Sequence, residues 1–480
     1  MNELHFPWIE LAIFLPLLGA AWVMRLRDPA RAHSQSLVVT ASVFIASILE
    51  AQDFYSLHIF RAEDRWHLMS RLIGRELFAI DELNAPLIPL IALLFLLTNL
   101  ATGRTKAARF SFSTMLLTES LTLGLFSAVD PWVIIILMAL GTMPAYFELK
   151  ARGQPTRLYG LAMAASSVLL ALGWLLVQRR GPASSLVLFT PLLIGVAIRC
   201  GLFPFQSWVI NLYDKASFGS ALLLTTPLAG AYAALRLIVP MAPDSALRIL
   251  GLVSLFTAIY SAALALVQTE ARRFMSRMVI SHSAMVLVGL EVATPLGLTG
   301  ALCVWLSAGL SLGGFGLTLR ALEARRGRLP LVHFQGLYEH TPALAVCFLL
   351  TGLACVGFPG TVGFVGTEML IDGAVEAYPH VGPWIVIASA LNGIAIMRAY
   401  FLLFTGTQYS SSISLRIGGR ERIAVLTLAV LVLGGGLVPQ PGVATAYHAA
   451  QSLLKARERT VSARENPPEQ LRVHAELPPQ

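Results

Sequence analysis

An arginine and a helix-breaking proline stand five residues apart inside one apolar run, Ile198-Arg199-Cys200-Gly201-Leu202-Phe203-Pro204. No charged residue lies between Ser184 and Ile198, which places Arg199 near membrane depth. A guanidinium there costs about 2.5–3.5 kcal/mol on insertion scales and more in simulations. Pro204 removes a backbone donor and clashes with the preceding turn, so the helix must kink or break. Broken backbone within a bilayer is tolerated only where it is buried in protein or lines a wet cavity. A charge beside a break therefore reads as part of an ion or substrate path. The structural alternative is an arginine that snorkels to an interface. A second run, Gly357-Phe358-Pro359-Gly360, interrupts another apolar segment. Just beyond it, Glu368 and Asp372 share a helical face at i and i+4, placed as an entry or exit station for cations. His282 offers a proton relay near neutral pH, against the alternative of a neutral histidine hydrogen-bonded between helices.

The elements that must position these groups are membrane helices. The chain has 480 residues, 56% hydrophobic and 13% charged, with a mean hydropathy of +0.70. Ordinary soluble domains carry about 25% charged residues. The net charge of +8 needs no nucleic acid, because Lys and Arg accumulate in short cytoplasmic loops of membrane proteins. Cys200, Cys303, Cys347 and Cys355 all sit in apolar runs without a CxxC pair and read as packed thiols. No metal-ligand cluster and no phosphate-binding loop is visible, so neither a cofactor nor a catalytic centre is expected in this chain.

About fourteen apolar segments have the length, about 20 residues, that crosses a hydrocarbon core of about 30 Å. Lys and Arg concentrate in one alternate set of loops, which the positive-inside rule makes cytoplasmic and which turns both termini outward. The two interrupted segments lie five spans apart. Paired interruptions at corresponding places point to a transporter built from repeats. The expected architecture is an all-α integral membrane protein with two inverted five-helix repeats, each containing a broken helix. The expected division is 1–105 (spans 1–3), 106–240 (first repeat), 241–408 (second repeat), 409–450 (last span) and 451–480 (an unstructured, Pro- and charge-rich tail).

The run IRCGLFPFQSWVINLYDKA resembles the signature KxPLFPFHxWLPDAH of the proton-antiporter-like membrane subunits of respiratory complex I. Gln268 to Arg273 followed by Ile280-Ser281-His282-Ser283 is similar to that family's QTDxKR…SxSHMG helix pair, and Phe358 to Gly366 to its LPGxxGFxGE break. Glu119, eleven residues before Asp130, matches a family glutamate, and Gly230-Ala231-Tyr232 with Arg236 matches GAYGxLR. The likeness spans about 80–404 and is greatest to the M-type subunit; Mrp antiporters, membrane hydrogenases and inorganic-carbon uptake complexes hold relatives. The chain also departs from the pattern. Ala139 stands where the family has a glutamate, Arg199 and Leu228 where it has lysines, Ala308 where it has a histidine, and Thr367 where it has a charge, with Glu368 one place on.

The resemblance implies a proton or cation pathway through Glu119, Arg199, His282, Glu368 and Asp372, with breaks at Pro204, Pro359 and Gly360 and support from Arg236, Glu270 and Arg398. Glu119 is the expected counter-charge of Arg199, since a buried arginine needs one and Ala139 cannot supply it. The implied function is that of a multi-pass inner-membrane subunit of a complex-I-like NADH:quinone oxidoreductase. It would take part in proton translocation beside other membrane subunits, with the redox chemistry in partner subunits. Two alternatives stay open: a cation-coupled subunit of an inorganic-carbon or other solute uptake complex, and a non-conducting structural paralogue.

Overall fold

The computed structural model describes residues 3–66, 71, 74–103, 110–180, 186–406 and 418–465. The chain opens with α1 (Trp8–Val23) and α2 (Pro29–Leu57). Asp28 starts α2 by accepting from the Ala30 amide at 3.0 Å, and Pro29 occupies the first turn, where its missing donor is harmless. A two-stranded antiparallel ribbon, Arg61–Ala62 against Ile80–Asp81, then leads to α3 (Leu87–Leu100).

Five spans follow: α4 (Phe112–Ser127), the pair α5 (Pro131–Leu140) and α6 (Met143–Ala151), α7 (Arg157–Arg180), the pair α8 (Leu186–Cys200) and α9 (Ser207–Lys215), and the pair α10 (Phe218–Thr225) and α11 (Ala229–Ala233). Five more come next: α12 (Asp244–Leu266), α13 (Ala271–Val292), α14 (Pro295–Arg326), the pair α15 (Pro342–Cys355) and α16 (Val362–Ala377), and α17 (Val381–Phe404). In each set the fourth member is the one expected to be broken, and the helix stops in both. Asp130 caps α5 through the Trp132 and Val133 amides at 2.9 and 3.1 Å. The 32-residue α14 is the buried axis of the second set; 89% of its apolar window is covered by its neighbours.

Among the described residues, seven helices are long and apolar enough to cross a membrane unaided, and α1, α3, α8 and α15 are shorter apolar helices. The structure therefore describes a multi-pass, all-α membrane protein with more helices than spans, because several spans are interrupted. Its last part differs from expectation. The final span is α18 (Gly419–Leu437), and after a bend of 77° the chain continues as α19 (Gln440–Glu465). The segment from residue 451, expected to lack structure, is thus helical to Glu465, while 466–480 lies outside the described residues. Burial of Arg457 gives the reason. Its guanidinium donates to the carbonyls of Val239 and Ala242 at 2.7 and 2.9 Å and pairs with Asp244, fastening α19 to the start of α12.

Candidate proton pathway

The first break is built from its own sequence. Gly201 takes a left-handed conformation (φ 66°), which turns the chain out of α8, and Leu202 returns its amide to the Ala197 carbonyl at 2.9 Å. The freed groups find partners: the Phe203 amide donates to Thr257 Oγ1 at 3.0 Å, and Trp208 Nε1 donates to the Ile198 carbonyl at 2.7 Å. These bonds let an interrupted helix persist where water is scarce.

Arg199 lies in the last turn of α8 and is 9% exposed. It donates to Met163 Sδ at 3.0 Å. Beside it lies a cavity of about 20 Å³, lined by Thr225, Leu228 and Ser283 among others. That is room for one water molecule. Arg199 does not pair with Glu119. The Glu119 carboxylate is fully buried in α4 and neither of its oxygens has a hydrogen-bond partner. The expected pair is corrected accordingly: the acid and the arginine are separate, each buried by its own helix packing.

At the second break, Gly357 and Gly360 take left-handed conformations (φ 75° and 84°) between α15 and α16. His282, on α13, reaches across to it. Its Nε2 lies 2.7 Å from the Cys355 carbonyl oxygen at the end of α15, and its Nδ1 lies 2.8 Å from the Met278 carbonyl oxygen of its own helix. A neutral imidazole has one N–H and serves one of these carbonyls, whereas the imidazolium serves both. Ser283, the next residue, lines the Arg199 cavity. Helix α13 thus touches both breaks, Ser283 at the Arg199 cavity and His282 at the Cys355 carbonyl.

The remaining sequence candidates sit elsewhere. Glu368 and Asp372 do share a face of α16, but that face is exposed on this chain rather than turned to the breaks. The one-residue offset from Thr367 is the reason, since one residue turns a helix by about 100°. Thr367 faces the break and donates to the Gly363 carbonyl at 2.8 Å. Arg236 forms a two-pronged ion pair with Asp81 at 2.6 and 3.0 Å and contacts Tyr232 Oη at 3.0 Å, so it clamps α11 to the ribbon before α3. Glu270 pairs with Arg328 at 3.1 Å on the surface. Arg398 donates to the Gln268 and Leu331 carbonyls, both at 3.2 Å, and holds two loops together.

Three features escaped the sequence reading. The chain is broken again at Thr226-Pro227-Leu228, where Leu228 is left-handed (φ 56°) and Trp305 Nε1 donates to the Pro227 carbonyl at 3.0 Å. A π-turn, Ala234–Ile238, follows and carries Arg236; such turns are frequent at functional sites. Arg272 pairs with Glu323 through two contacts of 2.6 Å and donates to the Tyr213 and Ala216 carbonyls, closing the end of α9. Thr226-Pro227 was the available signal for the first; the ion pairs join residues far apart in sequence.

The family model described as NADH:quinone oxidoreductase/Mrp antiporter, TM, matches residues 156–392, which include both breaks, Arg199 and His282. The chain is 25% identical to NAD(P)H-quinone oxidoreductase chain 4 3 of Trichormus variabilis, over 92% of this chain and 90% of that one. It is 25% identical to NADH-quinone oxidoreductase subunit M of Pseudomonas aeruginosa, over 95% and 99%. The chain is thus similar to antiporter-like membrane subunits along most of its length. The fold agrees. It resembles a chain of the Mrp complex from Dietzia sp. with a TM-score of 0.83 at 18% identity, covering 95% of this chain and 98% of that one. It resembles a chain of respiratory complex I from Thermus thermophilus with a TM-score of 0.81 at 23% identity, covering 94% and 99%. Glu119 and the first three spans lie outside the matched family region.

Proposed function

We propose that this chain is the antiporter-like subunit of a complex-I-like NADH:quinone oxidoreductase in the inner membrane, moving protons while electron transfer occurs in partner subunits. The observation that carries the reading is the place of His282. It sits on a helix that touches both breaks, with a carbonyl at each ring nitrogen, 2.8 and 2.7 Å away. Arg199 keeps its charge at every working pH and acts as a fixed positive field beside a water-sized cavity. Proton carriage therefore falls to His282 and Glu119.

The solute-uptake reading would need space for an anion such as bicarbonate beside Arg199. The cavity of about 20 Å³ holds one water and no more. The test is proton translocation per NADH oxidised by the intact complex in proteoliposomes. His282→Gln should lower that ratio while leaving NADH oxidation by an uncoupled preparation in place. An unchanged ratio, together with uptake of a solute, would favour the rival.

A further inference from the structure

The first three helices carry polar side chains that the antiporter-like breaks do not use. Glu50, on α2, is fully buried and both carboxylate oxygens lack any hydrogen-bond partner. An ionised carboxylate left so is strongly unfavourable, so a proton or a cation has to accompany it. Among the described residues no group of three or more His, Cys, Asp or Glu is arranged to hold a metal ion. With no ring of oxygen ligands around Glu50, the ligand is a proton.

Glu50 also has a route to water. It lies seven residues before the end of α2, about 10 Å along the axis at 1.5 Å per residue. Asp53 is one turn closer to that end, on the same side of the helix. The Asp53 carboxylate accepts from the His5 amide at 2.9 Å and from Trp8 Nε1 at 3.1 Å, and meets His5 Nδ1 at 2.6 Å. The His5 side chain is 71% exposed, that of Asp53 only 12%. The acid that acts on Glu50 from another element is Asp64, which in turn accepts from the Glu10 amide at 2.7 Å. By the loop charges, this is the face away from the cytoplasm.

The same face of α2 continues inward. His33, Ser36, Thr40, Val43, Ser47 and Glu50 follow the alternating three- and four-residue spacing of one helix side, and all are buried. Asn99 of α3 bridges the inner half. Its Nδ2 donates to Ser36 Oγ at 3.1 Å and Thr40 Oγ1 at 3.4 Å, and its carbonyl lies 3.1 Å from His33 Nε2. Only Val43 breaks the polar seam, separating Thr40 from Ser47 by about 10 Å of helix. An apolar turn of that kind closes a path by excluding water.

We infer that α1, α2 and α3 hold a second proton path beside the antiporter-like one: His5–Asp53 takes protons from the outer face, Glu50 stores one, and the Ser47-to-His33 seam delivers it when water enters past Val43. In the loading step the N–H bond of the His5 imidazolium breaks, and the proton passes through the Asp53 carboxylate to form an O–H bond on Glu50. The inference rests on the proton-translocating reading proposed above.

The test uses the intact complex and two kinds of measurement. Infrared difference spectra should show a carboxylic-acid C=O band that disappears in Glu50→Gln and shifts on transfer to D2O. In proteoliposomes, Glu50→Gln should remove the share of proton translocation that this path carries and leave the share that passes through Glu119 and His282. His5→Ala, at an exposed position, should slow exchange of the Glu50 band. A Glu50 band that stays unshifted in D2O, or full translocation in Glu50→Gln while Glu119→Gln is impaired, overturns the second path and leaves the main reading standing. Full translocation in Glu50→Gln, Glu119→Gln and His282→Gln alike overturns both.

Discussion

His282 Nε2 and the Cys355 carbonyl oxygen lie 2.7 Å apart, 73 residues distant in sequence. The contact ties a protonatable ring on a continuous helix to the last turn of a broken one. A carbonyl at a helix end has no partner within the helix and takes one from outside. Here the partner is a group that changes charge. Protonation of His282 and the geometry of the second break are therefore coupled. In His282→Gln the amide donates one hydrogen bond but carries no proton, so translocation through this path should fall by on the order of 10²-fold with the break intact. Proton flux and a structure of the variant check this.

Among the described residues, Arg199 has no carboxylate partner. Replacing a buried charge by an apolar group of like size is often neutral or stabilising. Arg199→Met should therefore leave the melting temperature of the complex unchanged or higher while lowering proton flux, because the fixed positive field at the cavity is gone. Arg199→Lys should retain flux. Differential scanning calorimetry beside flux measurement separates the two effects; a large loss of melting temperature in Arg199→Met would show that the arginine is structural.

Asp81 and Arg236 are a mostly buried pair, 18% and 14% exposed at the side chain. Breaking one partner of such a pair costs about 3 kcal/mol or more. Asp81→Asn and Arg236→Met should each lower the denaturation midpoint, and the double variant should lose less than the sum of the two. A double-mutant cycle on the purified complex measures the coupling.

Glu368, Asp372 and Glu376 are exposed at i, i+4 and i+8 on α16. Acids on a membrane helix seldom face lipid; they meet partners. A neighbouring membrane subunit with Lys or Arg should cover this stripe. A cysteine at Glu368 should then form a cross-link to that subunit in the native membrane, whereas labelling by a lipid-soluble reagent alone would show a lipid-facing stripe.

Much of this was legible in the chain. Proline and glycine inside apolar runs fixed the breaks at Pro204 and at Pro359–Gly360, because neither residue type continues a helix without loss. His282 and Arg199 were visible as polar groups in apolar surroundings. The facing of Glu368 and Asp372 was not, since periodicity gives a shared side of a helix but not what that side meets. Nor was the separation of Glu119 from Arg199, which depends on how α4 and α8 pack. Glu50 was hidden for another reason. It stands between apolar residues near the end of α2 and Asp53 follows it, so it reads as a helix end approaching water, and only tertiary packing buries it.

Glu119 and His282 are the two groups on which proton carriage through the antiporter-like half depends. Both are buried, and neither substitution below adds a charge. The most direct measurement is proton flux by the complex reconstituted in proteoliposomes, comparing the natural chain with Glu119→Gln and His282→Ala combined. A chain that conducts through these groups loses most of its proton flux in the double variant while the assembled complex keeps its subunits. Flux equal to that of the natural chain would contradict the assignment and place the conducting path in another subunit.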